Sequence, residues 1–367
     1  KTKIRLGVLS DYFYDCEMGY WLESFLKPCD RDRFEIYCYH DTTIRDEMTT
    51  RFEGYADLWR PMHEVNTLTA AKIIAGDEID VLMDASGFAE DPRFCLLAMR
   101  PAKVQISWLG LPQIGGIDDI DYVLGDAQTI KNDKTYVTDE KCIQLDGPLV
   151  TIMPFGFMPD VNKSPAKSRG HVTFGGHLEP ARLNEETASL WCSALEAVPD
   201  ATLLLGNPVN FHPDTRDFAE KLFKDRGVSD RIRIDPYDEN AELSPLDEEV
   251  GFYSRIDVLL DTMPVNGGLE LCRALWMGVP VLTLAGKRRQ SLMGASILAA
   301  ARRPDWIAKT PKDFAKRASN LAKDMDGLAL IRESLRDEVE DTELFKPANF
   351  SKAMCDAIEK IHQNGRA

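Results

Sequence analysis

The sequence lacks the cysteine patterns that mark disulfide frameworks and metal centres. Its eight cysteines are scattered, and none forms a C-x-x-C pair. This arrangement favours a reduced compartment. Apolar runs are also short: none approaches the length that spans a bilayer, and no signal peptide is present. We therefore expect a cytoplasmic protein with no membrane association.

Positive charge is also in deficit. The chain has 44 Lys and Arg residues against 60 Asp and Glu residues, a net charge of −16, and no basic tail compensates. This balance argues against binding to nucleic acid or to anionic membranes. At 367 residues the chain is long enough for two domains. It opens directly on an apolar run without an initiator Met, and we interpret it as a piece of a longer protein.

Several well-known cofactor motifs are missing. There is no G-x-G-x-x-G sequence, no Walker A loop, no H-E-x-x-H and no Cys/His cluster with zinc spacing. Dinucleotide and P-loop nucleotide sites therefore lose their main support. The carboxylates of a D-x-D pattern within residues 118–121 are of a type that binds Mg²⁺, but such short patterns arise often by chance. We expect neither a metal nor another cofactor.

Short apolar runs alternate with helical patterns along the chain, which predicts an α/β fold with parallel sheets covered on both faces. A segment rich in Pro, Lys and Ser at 153–169 indicates a linker, and amphipathic patterns predict helices in the tail. We expect two Rossmann-like lobes facing across a cleft, at 1–160 and 161–345, with a C-terminal helix at 346–367. The predicted strands lie within 4–10, 34–40, 79–86, 103–110, 121–126, 171–176, 201–207, 231–237, 256–262 and 279–286. The predicted tail helices lie at 311–324, 328–340 and 350–363.

The stretch "DTMPVNGGLELCRALWMGVP" (261–280) has the order strand, glycine turn, helix. This order points backbone N–H groups and the positive end of a helix dipole at an anion. Asn266, Gly267 and Gly268 form the predicted turn. Glu270 and Arg273 follow in the helix, where residues three apart are neighbours. They form either an ordinary exposed ion pair or a pair that contacts the ribose, base or carboxylate of a ligand.

Two further strand ends carry cations. In "FGGHLEPARLN" (174–184), His177 and Arg182 flank a turn that leads to Asn184, a predicted helix N-cap. Arg182 there either clamps a phosphate or is solvated. In "AGKRRQSLMGAS" (285–296), Lys287, Arg288 and Arg289 follow a strand directly. They form either an anion-binding cluster or a solvated loop.

Two long stretches, "RPAKVQISWLG" (100–110) and "ALWMGVPVLTLAG" (274–286), resemble the catalytic region of the O-GlcNAc transferase/SPINDLY glycosyltransferases. The resemblance extends over nearly the whole chain. It implies a GT-B fold whose second lobe binds a nucleotide-sugar donor, with metal-independent transfer to Ser or Thr hydroxyls of a protein. It also implies upstream helical repeats, which are missing from this sequence.

The departures from the family pattern fall mainly in the donor site. Arg182 replaces the Lys of "N-N-P-A-K-I-N", and the turn 266–270 has lost its hydroxyls. Arg273 stands where an acidic residue resembles a ribose contact, and Leu292 replaces the Arg of "S-R-x-G-A-S".

In the first lobe, Cys16 replaces a family histidine, which leaves Asp15 or Glu17 as the candidate general base. The added cations suit a donor that carries a carboxylate beside one phosphate. We therefore expect a CMP-nonulosonic acid donor of the pseudaminic or legionaminic type and a bacterial acceptor such as flagellin. The alternatives are a UDP-GlcNAc or GDP-sugar enzyme, an inactive GT-B binding module, and a sugar-nucleotide epimerase.

Overall fold

The structure is a computed structural model that describes residues 3–86, 93–109, 119–130, 141–177, 179–206, 213–224, 226–235 and 245–365. It divides into two compact units. The first consists of Lys1–Met153 and Glu343–Ala367, and the second of Pro154–Thr342. The division falls at the start of the segment predicted as a linker. The C-terminal residues belong to the first unit, whereas the sequence analysis set them apart.

The first unit contains a parallel sheet of seven strands in the order β3-β2-β1-β4-β5-β6-β7. Its strands are β1 Ile4–Ser10, β2 Phe34–His40, β3 Leu58–Pro61, β4 Val81–Asp84, β5 Val104–Ser107, β6 Tyr122–Gly125 and β7 Lys141–Gln144. The helices between them are α1 Glu17–Leu26, α2 Glu47–Tyr55, α3 Thr67–Gly76 and α4 Phe94–Ala98.

The second unit contains a parallel sheet of six strands in the order β10-β9-β8-β11-β12-β13. Its strands are β8 Thr173–His177, β9 Thr202–Gly206, β10 Ile232–Ile234, β11 Val258–Leu260, β12 Val281–Leu284 and β13 Ile307–Ala308. Its helices are α5 Pro165–Arg169, α6 Glu185–Ala197, α7 Pro213–Lys224, α8 Pro245–Tyr253, α9 Leu269–Trp276, α10 Met293–Ala300, α11 Pro311–Ala322 and α12 Met325–Glu340.

The last helix, α13 Pro347–Asn364, packs against α1 in the first unit. The hydroxyl of Ser351 donates a hydrogen bond to the carbonyl of Phe25 at 2.8 Å, and both residues are buried. At the surface, Arg33 forms ion pairs with Asp356 and Glu359 at 2.8 and 2.5 Å. These contacts explain why a helix so late in the sequence completes the first unit.

Both sheets confirm the predicted α/β class, because each of the ten predicted apolar runs contains a strand. The strand order reverses direction once in each sheet: between β1 and β4 in the first sheet, and between β8 and β11 in the second. Ligands of open parallel sheets bind beyond the carboxyl ends of the strands at such a switch point. The second switch point brings the loops after β8 and β11 together.

No helix in the described parts of the chain has the length and apolar character required to cross a membrane.

Candidate functional site

The turn between β11 and α9, residues 261–268, is organised by a buried carboxylate at the end of β11. Asp261 is 3% exposed. Its Oδ1 accepts hydrogen bonds from the N–H groups of Thr262 and Gly267, both at 2.7 Å. Its Oδ2 accepts one from the Thr283 hydroxyl of β12 at 2.5 Å. Burial raises the pKa of the Asp261 carboxyl to about 6, even though these three donors favour its charged form. The turn is therefore fixed by its own side chains.

Asn266 holds the turn rather than reaching away from it. Its Nδ2 donates to the carbonyl of Thr262 at 2.9 Å, and its Oδ1 accepts from the N–H of Gly294 at 3.3 Å. The backbone N–H of Asn266 donates to the carbonyl of Gln290 at 2.9 Å. This side chain, 5% exposed, joins the turn to the start of α10.

Arg182 lies beside this turn because the first residues of α6 tie the two loops together. Asn184 caps α6: its Oδ1 accepts from the N–H groups of Glu186 and Thr187 at 2.9 and 3.0 Å, as the sequence predicted. Its Nδ2 donates to the carbonyls of Arg182 and Met263 at 3.0 and 2.7 Å. The cap therefore places the guanidinium of Arg182 next to the β11–α9 turn.

Glu270 is the partner of Arg182. The two side chains form an ion pair in which the Glu270 side chain is 9% and the Arg182 side chain 17% exposed. Glu270 Oε2 also accepts a hydrogen bond from the N–H of Gly268 at 3.1 Å. Burial would raise the pKa of this carboxyl, but the charge of Arg182, the neighbouring His177 and the nearby N–H groups lower it to about 2. Glu270 is therefore an anion at neutral pH.

The position of Glu270 requires a glycine in the turn. A Cβ atom on Gly267 would lie 2.6 Å from Glu270 Oε1, so the Glu270 side chain would have to move from its present position. The carboxylate thus fills the space above the turn that glycine leaves open.

Arg273 does not pair with Glu270, so the prediction of an exposed Glu270–Arg273 pair is wrong. Its guanidinium forms an ion pair with Glu249 of α8 at 2.5 Å, and the two side chains are 16% and 5% exposed. The hydroxyl of Tyr253 lies 2.8 Å from Glu249 Oε1 and 3.0 Å from the carbonyl of Glu270. Each acid therefore pairs with a different arginine, and the charges of the four groups cancel.

His177 ends β8 beside this pair of loops. Its Nε2 has no hydrogen-bond partner among the residues that the structure describes, and its ring meets Phe252 edge-on at 5.7 Å. Burial lowers the pKa of His177, against the raising effect of Glu270 and Glu249. A neutral imidazole with one free nitrogen is suited to hydrogen bonding with a ligand.

The cations after β12 differ from one another. Lys287 and Arg288 are exposed, whereas Arg289 is 7% exposed and belongs to the interior. Two of the three cations that follow β12 in the sequence are therefore exposed. Leu292 is buried at 1% exposure where the family pattern has an arginine.

In the first unit, the candidate base residues follow β1 at the carboxyl edge of its sheet. Asp15 is exposed, and its N–H donates to Asp46 Oδ2 at 2.7 Å. Glu17 begins α1, with Cys16 as the N-cap residue. Burial raises the pKa of the Cys16 thiol to about 11, so this thiol is protonated at neutral pH and is a poor base.

In the described parts of the chain, no three His, Cys, Asp or Glu side chains are grouped as metal ligands would be. Asp118, which precedes the D-x-D pattern, lies outside the described residues, and Asp119 Oδ1 of the pattern lies 3.8 Å from the guanidinium of Arg100. Asp121 accepts from Arg100 at 3.0 Å and from the N–H of Gln105 at 2.8 Å. These contacts give Asp121 a structural role.

Sequence reasoning missed Asp261, Thr283 and Glu249. Asp261 carried a usable signal, because an acid that directly follows a buried apolar run lies at a strand end. Thr283 reads as part of a strand, and Glu249 carried no signal, because its partner Arg273 lies 24 residues later on another helix.

Solved structures show the class to which this architecture belongs. An O-GlcNAc transferase mutant from Thermobaculum terrenum superposes with a TM-score of 0.85 and 26% sequence identity, covering 99% of this chain and 68% of that one. The Anabaena protein HepE, in complex with UDP and glucose, matches with a TM-score of 0.57 and 12% identity over 97% of this chain and 100% of its own. The second likeness concerns the fold alone. The two Rossmann-type units are those of a GT-B glycosyltransferase.

The sequence comparisons are more specific. The profile of Glycosyl transferase family 41 matches residues 1–145 and 177–354. The probable UDP-N-acetylglucosamine–peptide N-acetylglucosaminyltransferase SPINDLY of Solanum lycopersicum is 26% identical over 367 residues, covering 98% of this chain and 38% of the relative. The chain belongs to glycosyl transferase family 41, which confirms the resemblance seen in its sequence. It spans less than two fifths of the length of that relative.

Proposed function

We propose that this chain transfers a sugar from a nucleotide-sugar donor to a Ser or Thr hydroxyl of a protein. The observation that carries the proposal is the set of anion-binding groups at the switch point of the second sheet. Arg182, the Gly267 and Gly268 turn and the N-terminus of α9 converge there. Such groups stabilise the negative charge that develops on a departing phosphate.

In the proposed reaction, the acceptor oxygen forms a bond to the anomeric carbon as the bond from that carbon to the phosphate oxygen breaks. Arg182 and the N–H of Gly268 hold the nucleotide phosphate, which leaves with the bonding electron pair. The hydroxyl proton passes to a carboxylate, for which Asp15 and Glu17 are the candidates. The variants Asp15→Asn and Glu17→Gln distinguish the two candidates. The variant that lacks the base transfers sugar more slowly, while its affinity for the donor stays unchanged.

For the donor we propose a UDP-N-acetylhexosamine. The Solanum lycopersicum relative carries a name that specifies UDP-N-acetylglucosamine. The engagement of Arg273 by Glu249 weakens the charge argument for a second carboxylate on the donor.

A CMP-nonulosonic acid with flagellin as acceptor is the second candidate. The exposed Lys287 and Arg288 at the end of β12 favour it, because exposed cations can bind a sugar carboxylate.

The experiment is a titration of the purified chain with UDP, GDP and CMP, followed by mass-spectrometric detection of sugar transfer. A ligand at about 100 times its Kd stabilises the folded state by about 2.7 kcal/mol, which a thermal melt resolves. We expect stabilisation by UDP, lost in Arg182→Met and kept in Arg317→Met, whose half-buried arginine pairs with Asp313 on α11. Stabilisation by CMP alone would favour the nonulosonate donor.

The absence of a response to every nucleotide would point instead to an inactive binding module. Cys16, at the position of a family histidine, and the neutralised charge of Arg182 support that candidate.

A further inference from the structure

Arg182 and the β11–α9 turn already hold an anion, and it is a side chain of the protein itself. Glu270 forms an ion pair with Arg182 and accepts the N–H of Gly268. Its carboxylate lies in the first turn of α9, the helix whose N-terminus starts at this turn. A guanidinium, turn N–H groups and a helix N-terminus are the same three kinds of group that bind phosphate in other proteins.

We propose that Glu270 is an internal stand-in for the donor phosphate, and that a donor must displace its carboxylate from Arg182 to bind. This inference rests on the proposed function, because it assumes that the same groups receive a phosphate. Glu270 is then a specificity-determining residue. Only a ligand whose other contacts supply more binding free energy than displacement of Glu270 costs can bind.

Three further features support this role. The Arg182 and Glu270 side chains are only 17% and 9% exposed, so little of the guanidinium is open to a phosphate while the carboxylate stays in place. The carboxylate is charged, so it repels a second anion as well as blocking it. Gly267 leaves the turn open on the side where Glu270 lies, so the space itself can accept a group other than Glu270.

Displacement also has a defined energetic consequence. When the Glu270 carboxylate is displaced, it loses its ion pair with Arg182 and its hydrogen bond from the Gly268 N–H. The free energy with which the phosphate binds must exceed the cost of losing these two interactions. Replacing Glu270 by the neutral isostere glutamine removes the repulsion and most of this competition. The affinity of the site for phosphate groups should then rise, an effect that a merely damaged structure would not produce.

The test is isothermal titration calorimetry of the chain with UDP and, separately, with inorganic pyrophosphate. Three proteins are compared: wild type, Glu270→Gln and the control Asp235→Asn. Asp235 forms a carboxylate–guanidinium pair with Arg255 in the same unit, outside the β11–α9 turn. Circular dichroism establishes that each protein is folded, and Glu270→Thr replaces Glu270→Gln if the latter does not fold.

We expect Glu270→Gln to bind both ligands at least about tenfold more tightly than wild type, while Asp235→Asn remains within about twofold of wild type. Equal or weaker binding of both ligands by Glu270→Gln would overturn the inference, and UDP binding by wild type would then leave the proposed function intact. Tighter binding of pyrophosphate without any binding of UDP would support the role of Glu270 and refute a UDP-sugar donor. No binding of either ligand by any variant would overturn both.

Discussion

The buried carboxylate of Asp261 makes a pH-dependent contribution to stability that can be measured directly. Burial raises the pKa of its carboxyl from 3.8 to about 6 in the folded protein. A carboxyl whose folded-state pKa is raised stabilises the protein below its unfolded pKa, and this contribution is lost as pH rises through the folded pKa. Asp261→Asn removes the titrating group and keeps an oxygen that accepts from the turn N–H groups.

The magnitude follows from the shift. One pKa unit corresponds to 1.36 kcal/mol, so a rise from 3.8 to about 6 corresponds to roughly 3 kcal/mol. Between about pH 4 and pH 7, wild type should lose up to that amount of free energy of unfolding relative to Asp261→Asn. Losing the hydrogen bond from the Thr283 hydroxyl costs the variant about 1 kcal/mol at every pH. This cost shifts the difference in free energy of unfolding by a constant and does not change how that difference depends on pH.

The assay is urea unfolding of wild type and Asp261→Asn at half-unit steps from pH 4 to pH 8, with the difference in free energy plotted against pH. Thr283→Val serves as a third protein. It removes a donor that favours the charged carboxylate, so its loss of stability relative to Asp261→Asn should extend to higher pH. A flat difference between wild type and Asp261→Asn, or one that changes in the opposite direction, would refute the raised pKa.

Three further predictions concern the rest of the molecule. Arg332 is 2% exposed and donates to the carbonyls of residues 162, 253 and 256. Arg332→Met should therefore lower the free energy of unfolding by about 3–5 kcal/mol. Urea unfolding measures this change, with the exposed Lys312→Ala as the control. The Sγ atoms of Cys29 and Cys355 lie 3.5 Å apart in the interior of the first unit, so oxidation by diamide should close a disulfide, seen by mass spectrometry as the loss of two hydrogens and absent in Cys355→Ser. Burial lowers the pKa of His40, so wild type should lose stability as pH falls below about 6.5; thermal melts should show a smaller acid-side loss in His40→Phe, and an equal loss would contradict this.

The sequence predicted the central strands because their apolar runs are continuous. Strands β1 and β11, covered on both faces, show the pattern expected of a parallel sheet. Three strands were not predicted: β3, β7 and β13. Strand β7 reads "KCIQ" and is largely exposed at the edge of its sheet, and β13 has two residues. Edge strands bury little surface, so their sequences carry little periodic signal.

The location of the candidate site could also be predicted, because it depends on strand ends and helix starts that are local in sequence. Asn184 was correctly assigned as the cap of α6, and Arg182 lies beside the β11–α9 turn. The choice of ion-pair partners was not predictable in the same way. Arg273 has Glu270 as its nearest acid along α9 and contacts Glu249 on α8 instead. Tertiary packing decides such pairings, and a single sequence does not record it.

The pairing of Arg273 changes how its role in donor specificity can be tested. Arg273→Asp would place a second carboxylate against Glu249, so loss of nucleotide binding in that variant would follow from repulsion alone. The double variant Arg273→Gln with Glu249→Gln removes both charges and leaves no uncompensated ion. If Arg273 is only the counter-ion of Glu249, we expect the double variant to bind UDP within about twofold of wild type by calorimetry. A folded double variant that binds at least about tenfold more weakly would show that Arg273 contacts the donor, and the charge argument for an acidic sugar would regain its support.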